Sequence, residues 1–197
     1  MWYSIFMKKR CAWCETNEGM IKYHDTIWGV PVFNDRQIFE FFVLDTFQAG
    51  LSWNIIWQKR EGFKKAFANF DPKKVAQFKT AQVNRLLGDI SIVRNRLKIH
   101  ATINNAQKFL AVKKEYGTFA EYLWQFTNNK PIINKWQTMK QIPVSSKESD
   151  AMSKDLKVRG FKFVGTTICY AFMQGIGMVN DHVIECFRYS KINKTRL

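Results

Sequence analysis

Histidine and cysteine are scarce in this chain of 197 residues, with three and four copies. Their placement therefore carries information. His182 and Cys186 stand four apart, which puts both side chains on one face of a helical turn and suits two ligands of one tetrahedral metal. Near the other end lie Cys11, Cys14 and His24. Zinc takes about four N or S ligands. Two sets complete such a site: Cys11, His24, His182 and Cys186, or Cys11, Cys14, His182 and Cys186. The competing reading is of buried cysteines and hydrogen-bonded histidines. A metal joining the two ends would clamp a chain that has no other lock on its termini.

A second group runs from Leu156 to Thr167, as Leu-Lys-Val-Arg-Gly-Phe-Lys-Phe-Val-Gly-Thr-Thr. It reads as a helix, a glycine-flanked turn and a helix start. Glycine lets backbone amides approach a phosphate, and the following helix N-terminus favours an anion. Arg159 and Lys162 add positive charge. An ordinary αα-hairpin with a glycine cap would read the same way.

The third group holds Tyr23-His24-Asp25, Trp28-Gly29 and the stretch from Asp45 to Trp53. Asp45 shares a helix with Phe41, Phe42, Leu44 and Phe47, so apolar side chains surround it. A carboxylate there needs a donor partner, unless it faces solvent. The aromatics could form a stacking pocket for a flat ligand, although most of the seven Trp would serve packing.

The elements that must position these groups are almost all helical. Asn34 or Asp35 caps a helix bearing Ile38, Phe39, Phe42, Val43 and Phe47. After Gln48-Ala49-Gly50-Leu51, Ser52 caps a helix running towards Phe63 and Phe67. Asp71-Pro72 is a cap followed by Pro at the first helical position. Thr80 precedes a short helix with Val83, Leu86 and Leu87. A long helix runs from Ile92 to about Tyr116, with Val93, Leu97, His100, Ile103, Ala106 and Leu110 on one stripe. Gly117 ends it, and Thr118 caps Phe119 to Phe126. After a loop with Pro131 and Pro143, Ser145 or Ser146 opens a helix to about Arg159. Thr166 to Gly175 forms a final apolar helix. Period-2 alternation is nearly absent. The expectation is an all-α domain of about eight short helices, and not a four-helix bundle.

Composition limits the partners. There are 31 Lys and Arg against 16 Asp and Glu, a net charge of +15. That excess predicts a polyanionic partner, nucleic acid before anionic membrane. With 46% hydrophobic residues the chain can build a core, which excludes global disorder. No window has ~18 uninterrupted apolar residues, so no membrane span is expected. Four cysteines with no signal peptide argue against a disulfide scaffold and for a reducing, cytoplasmic location. Residues 1–6 read as an extension before Met7, residues 7–189 as a single domain of two helical lobes, and 190–197 as a basic tail.

Several strings taken together resemble one family. They are Tyr23-His24-Asp25, Trp28-Gly29-Val30-Pro31, Gln48-Ala49-Gly50-Leu51-Ser52-Trp53, Lys59-Arg60-Glu61, Phe70-Asp71-Pro72, Arg159 to Tyr170, and Val179-Asn180-Asp181-His182-Val183. From about Cys11 to Cys186 their order and spacing resemble bacterial DNA-3-methyladenine glycosylase I, of the helix-hairpin-helix glycosylase superfamily. The resemblance implies one structural zinc per chain on Cys11, His24, His182 and Cys186. It implies a base pocket of Tyr23, Trp28 and Trp53, with Asp45 as the catalytic carboxylate. The best-known members carry Glu where this chain has Asp45, so the carboxylate reaches roughly 1.5 Å less far.

Leu51 is then the expected wedge in the gap left by a flipped nucleotide. Arg159, Gly160, Lys162, Gly165 and Thr166 are the expected DNA contacts. Most superfamily relatives carry a catalytic Asp where Asn180 stands, and lyase members carry a Lys where Thr166 and Thr167 stand. The implied activity is monofunctional: a monomer that binds double-stranded DNA containing alkylated bases, flips out 3-methyladenine and cleaves its N-glycosidic bond. The reading from another class is a non-catalytic binder of damaged DNA on the same zinc-stabilised fold. A zinc-stabilised RNA-binding module is a third.

Overall fold

The structure, a computed structural model, describes residues 8–194. The expected extension at 1–6 and the last residues of the expected tail lie outside the described residues. In chain order the helices are α1 (Glu18–Thr26), α2 (Asp35–Gln48), α3 (Trp53–Gln58), α4 (Arg60–Ala66), α5 (Pro72–Val75), α6 (Thr80–Gly88), α7 (Arg96–Tyr116), α8 (Phe119–Trp124), α9 (Lys147–Val158), α10 (Thr166–Gly175) and α11 (Phe187–Asn193). Two-residue strands β1 (Ile132–Ile133) and β2 (Val179–Asn180) pair in parallel, Ile132 opposite Val179 and Ile133 opposite Asn180. They are too short to leave a period-2 signature. Among the described residues no helix is long and apolar enough to cross a membrane.

The caps expected from the sequence set most boundaries. The Asn34 side chain accepts from the amides of Arg36 and Gln37, Ser52 from Ile55, and Asp71 from Lys73 and Lys74. Thr118 and Ser146 close capping boxes on α8 and α9. Gly117 takes φ +89°, a left-handed conformation that costs glycine little, and α7 stops there.

Four expectations are corrected. The helix opened by Ser52 breaks at Lys59 into α3 and α4. The long helix starts at Arg96, capped by Asn95, and not at Ile92. Its inward face is also rotated: Leu97 is 73% exposed and His100 is exposed, while Lys98, Thr102 and Asn105 are buried. Each buried polar residue has a partner. Lys98 Nζ donates to the carbonyls of Phe47 (2.7 Å) and Ala49 (2.6 Å), and Asn105 Nδ2 to that of Lys162 (2.9 Å). Finally, the boundary at 189 falls inside α11, which buries Ile192.

One continuous apolar cluster fills the interior. α2 runs through it, packed against α7 and α10, and α9 packs on α10. The Lys98 ammonium sits at the C-terminal end of α2, where the helix dipole favours a cation. It pins the turn that leads from Asp45 to Leu51.

Candidate active site

A cleft of about 370 Å³ opens where α1, α2, α3 and α10 meet the segment joining β1 to α9. That volume suits a small ligand. Tyr23 comes from α1, Trp28 from the turn after it, Asp45 and Gln48 from α2, and Trp53 from the first residue of α3. α10 supplies Thr167, Tyr170, Ala171 and Gln174, and the connecting segment supplies Met139, Ile142, Pro143 and Val144. Trp13 completes the wall, edge-on to Trp28 at 4.9 Å between centroids. Tyr23 lies 5.5 Å from Trp53 and 4.3 Å from Trp57.

The sequence-predicted pocket residues Tyr23, Trp28, Asp45 and Trp53 thus share one cleft. Trp13, Gln48, Tyr170 and Gln174 were missed. Gln48 had a readable signal, since three residues beyond Asp45 on a helix means the same face.

Polarity in this cleft is unusual. Asp45 is 4% exposed, and its Oδ2 has no hydrogen-bond partner in the protein. Burial pushes its carboxyl well above the ordinary range. Gln48 Oε1 and Trp53 Nε1 are also buried without a partner. Buried polar atoms are paired in the great majority of cases, because an orphan forfeits its hydration. The three residues that carry these orphans all line one aromatic-walled cleft, which suits a flat ligand that brings donors and an acceptor.

Beside the cleft, Cys11, His24, His182 and Cys186 form a buried group whose ligand atoms all lie within 4.8 Å of one another. Cys186 Sγ is 3.4 Å from His24 Nε2 and 3.5 Å from His182 Nδ1, and Cys11 Sγ is 3.7 Å from His182 Nδ1. Bond lengths to zinc of about 2.0–2.1 Å from N and 2.3 Å from S give a tetrahedral N–S edge of about 3.5 Å. The donor set therefore fits that ion. The outer ring nitrogens are held as ligating histidines require: His24 Nδ1 by Asp25 Oδ1 at 2.8 Å, His182 Nε2 by the Trp28 carbonyl at 3.3 Å. Arg10 in turn grips Asp25 through two nitrogens.

Donation from Cys11 holds the Cys186 thiol well below its ordinary range, and thiolate is the ligating form. Cys14 is buried outside this group. The spacing argument needs one correction. His182 and Cys186 do not share a helical turn. His182 follows β2, and Cys186 is the N-cap of α11, reached through a turn closed by Cys186 N to Val183 O at 2.8 Å.

The α9–α10 hairpin treats its predicted contacts unequally. Gly165 precedes α10 with ordinary backbone angles (φ −62°, ψ 155°), and nothing lies within 4 Å of where its Cβ would stand. Lys162 has an exposed side chain. Gly160, at φ +86°, makes the turn, and its amide is taken by the Lys157 carbonyl. Leu51, 38% exposed, projects from the turn after α2.

Arg159 and Thr166 are engaged within the protein itself. The Arg159 guanidinium is bound to Asp155 and Glu115 at 2.7 Å each and to the Tyr116 hydroxyl at 2.8 Å, and it stacks over Tyr116 and Tyr122. The Thr166 hydroxyl is taken by Asp150 and Ser149. A basic residue near a turn looks free in sequence, but acidic residues of α7 and α9 claim this one.

Comparison with known proteins agrees with the geometry. The methyladenine glycosylase family model matches residues 13–189. DNA-3-methyladenine glycosylase 1 of Escherichia coli K12 is 46% identical over 181 residues, covering 92% of this chain and 97% of that protein. A crystal structure of 3-methyladenine DNA glycosylase I superposes with a TM-score of 0.88 at 45% identity, covering 91% of this chain and 98% of that one. A Tyr-to-Phe variant of such an enzyme, solved in complex with 3-methyladenine, gives 0.87 at 32% identity, covering 90% and 96%. With the family model matched over nearly the whole chain and a relative of this identity covered almost end to end, the chain belongs to the methyladenine glycosylase family.

Proposed function

We propose that this protein is a DNA-3-methyladenine glycosylase, a monofunctional hydrolase that flips the damaged base out of duplex DNA and leaves an abasic site. The observation that carries the reading is the set of orphan polar atoms of Asp45, Gln48 and Trp53 in an aromatic cleft. The named relatives and the 3-methyladenine complex of a structural neighbour support it.

Methylation at N3 leaves the nucleobase cationic and a good leaving group. Cleavage breaks the bond from C1′ to the base, whose electron pair leaves with the neutral purine, and a water oxygen bonds to C1′ as its proton passes to solvent. Little acid catalysis is needed, so the protein's work is extrusion, recognition and exclusion of normal bases. A buried carboxyl favours its neutral form. A cation on the aromatic faces stabilises the carboxylate, and an uncharged purine does not. Asp45 then accepts from the exocyclic amine and selects for charge as well as shape. Leu51 fills the gap left by the flipped nucleotide.

A lyase step needs an amine at C1′. Thr166 and Thr167 follow the hairpin, and the buried Lys98 ammonium is held by two carbonyls. The test is release of free base from alkylated duplex. Free 3-methyladenine is expected, with no covalent adduct on borohydride treatment. A trapped band would refute the monofunctional reading, and binding of damaged duplex with no base release would favour a non-catalytic binder.

For DNA contact we assign the helix-hairpin-helix role to α9, its turn and α10. The N-terminus of α10 has no side-chain cap, and Lys162 adds a free charge. Backbone amides there would meet a phosphate over the open face of Gly165. Gly165→Val tests this, since the backbone angles suit any residue and a Cβ there has no protein atom within 4 Å. Affinity for undamaged duplex is expected to fall about tenfold or more with the melting temperature unchanged, and wild-type affinity to drop linearly in log–log with salt. Unchanged affinity in Gly165→Val would exclude the hairpin as the contact.

We also propose that the Cys-His group holds one structural zinc. Cys11, His24, His182 and Cys186 would fill all four positions, leaving none for a reacting water. Bound there, the ion supplies cross-linking of the two ends of the chain.

A further inference from the structure

Asp181 stands just beyond β2, 1% exposed, and does not itself line the cleft. Its carboxylate accepts four hydrogen bonds, each 2.7 Å long and each from a neutral donor. Oδ1 takes Asn134 Nδ2 and Trp136 Nε1, and Oδ2 takes the Tyr170 hydroxyl and Gln174 Nε2. The parallel pairing explains the convergence. Ile133 lies opposite Asn180, so the residues that follow each strand emerge side by side, tied by Asn134 N to Asn180 O at 3.3 Å.

Each half of the carboxylate serves a different wall. Tyr170 and Gln174, one helical turn apart on α10, face the cleft directly. Asn134 and Trp136 lie outside it, at the root of the segment that carries Met139 and Ile142 to its rim. Between that root and Ser146, the side-chain hydrogen bonds of the segment are local ones onto Gln141. Rotating the carboxylate to favour one wall would strip the other of its acceptors.

We infer that Asp181 is a positioning residue that holds the α10 wall and the 137–144 wall of the base cleft at a fixed separation. The inference rests on the cleft being the base-binding site, but its own consequence is mechanical. Asp181→Asn replaces an acceptor oxygen by an NH2 facing two donors, with no change in size. Amide hydrogen exchange across 137–144 should accelerate, whether or not a base is present. Affinity for free 3-methyladenine, read by quenching of tryptophan fluorescence, should fall about 10–30-fold, as for loss of a strong buried hydrogen bond. KM on alkylated duplex should rise more than kcat falls.

Trp136→Phe provides a second arm should Asp181→Asn not fold. It removes one donor at a residue outside the cleft and should also weaken base binding, and the double variant should lose less than the product of the two. Wild-type exchange at 137–144 in both variants, or effects that multiply independently, would overturn the inference. A wild type that binds no 3-methyladenine would overturn the base-binding reading, while the exchange arm would still decide the positioning role.

Discussion

Asp45→Asn is expected to bind free 3-methyladenine about 5–150-fold more weakly, the ~1–3 kcal/mol usual for a lost charge-assisted hydrogen bond in a dry site. It should also lose discrimination between 3-methyladenine and normal purines. The structural reason is the isolation of this carboxyl: 4% exposed, one oxygen with no partner in the protein, and aromatic rings around it. The same isolation predicts a gain in stability. Burial raises the pKa of Asp45 in the folded protein. In the unfolded chain an Asp titrates near ~3.9. Above that pH the folded state holds a proton that the unfolded state has released, so wild-type stability falls as pH rises towards the folded pKa. Asn removes the term. The variant should melt at or above the wild-type temperature at pH 7, with a flatter profile above pH ~4.

Weaker binding together with a raised melting temperature would mark a residue retained for ligand and not for fold. Asp45→Glu keeps the acceptor and extends it by one methylene, so base release should persist. If Asp45→Asn binds free base normally yet turns over nothing, the carboxylate acts on water or sugar, and its assignment to the base is wrong.

How far the sequence could be read depended on the range of the physics involved. Caps are local: Asn34, Ser52, Asp71 and Ser146 bond amides two or three residues away, and each begins a helix as expected. The ligand set was narrowed by rarity, since few groups of His and Cys could meet. What failed was non-local. The inward face of α7 carries Lys98, Thr102 and Asn105, whose partners lie in α2, in α7 itself and in the hairpin, so hydropathy pointed to Leu97 instead. The partner that Arg159 finds in Glu115 was likewise hidden, because the two are distant in sequence. Trp13 reached the cleft unannounced, because an aromatic beside a metal ligand looks like any core residue. Asp181 was quoted only as part of a motif, and its four donors come from two segments that a two-residue strand pair brings together.

Cys186→Ala should lower the melting temperature by about 8–16 °C while leaving the intrinsic rate of base release little changed below the transition. Cys11 precedes α1 and Cys186 caps α11, so the four ligands tie the first described segment to the last. Lys9 N-terminal to this group adds only an exposed ion pair with Glu185 and a backbone bond from Phe187. An exposed pair contributes little, so most of the tether between the two ends is expected to come from the cluster. An ion at 1,000 times its Kd adds about 4 kcal/mol to folding, and for a chain of this size each kcal/mol moves the midpoint by about 2–4 °C.

The cluster also touches the cleft through Trp28. Its carbonyl meets His182 Nε2, and its ring packs against His182 at 4.5 Å and lines the pocket. Gly29 sits so close that a Cβ there would lie 2.9 Å from Ile192 and 3.2 Å from His182. Loss of the ion should therefore reach base affinity by a small amount through Trp28, in proportion to local loosening. Protein purified without chelator should carry about one zinc per chain, and chelation of the wild type should reproduce the melting shift of Cys186→Ala. Absence of stoichiometric metal, or a chelator-insensitive midpoint, would leave these four residues as a hydrogen-bonded core cluster and remove the tether. A chelated protein that keeps its midpoint but loses turnover would instead place the metal in the chemistry, against the closed four-ligand geometry.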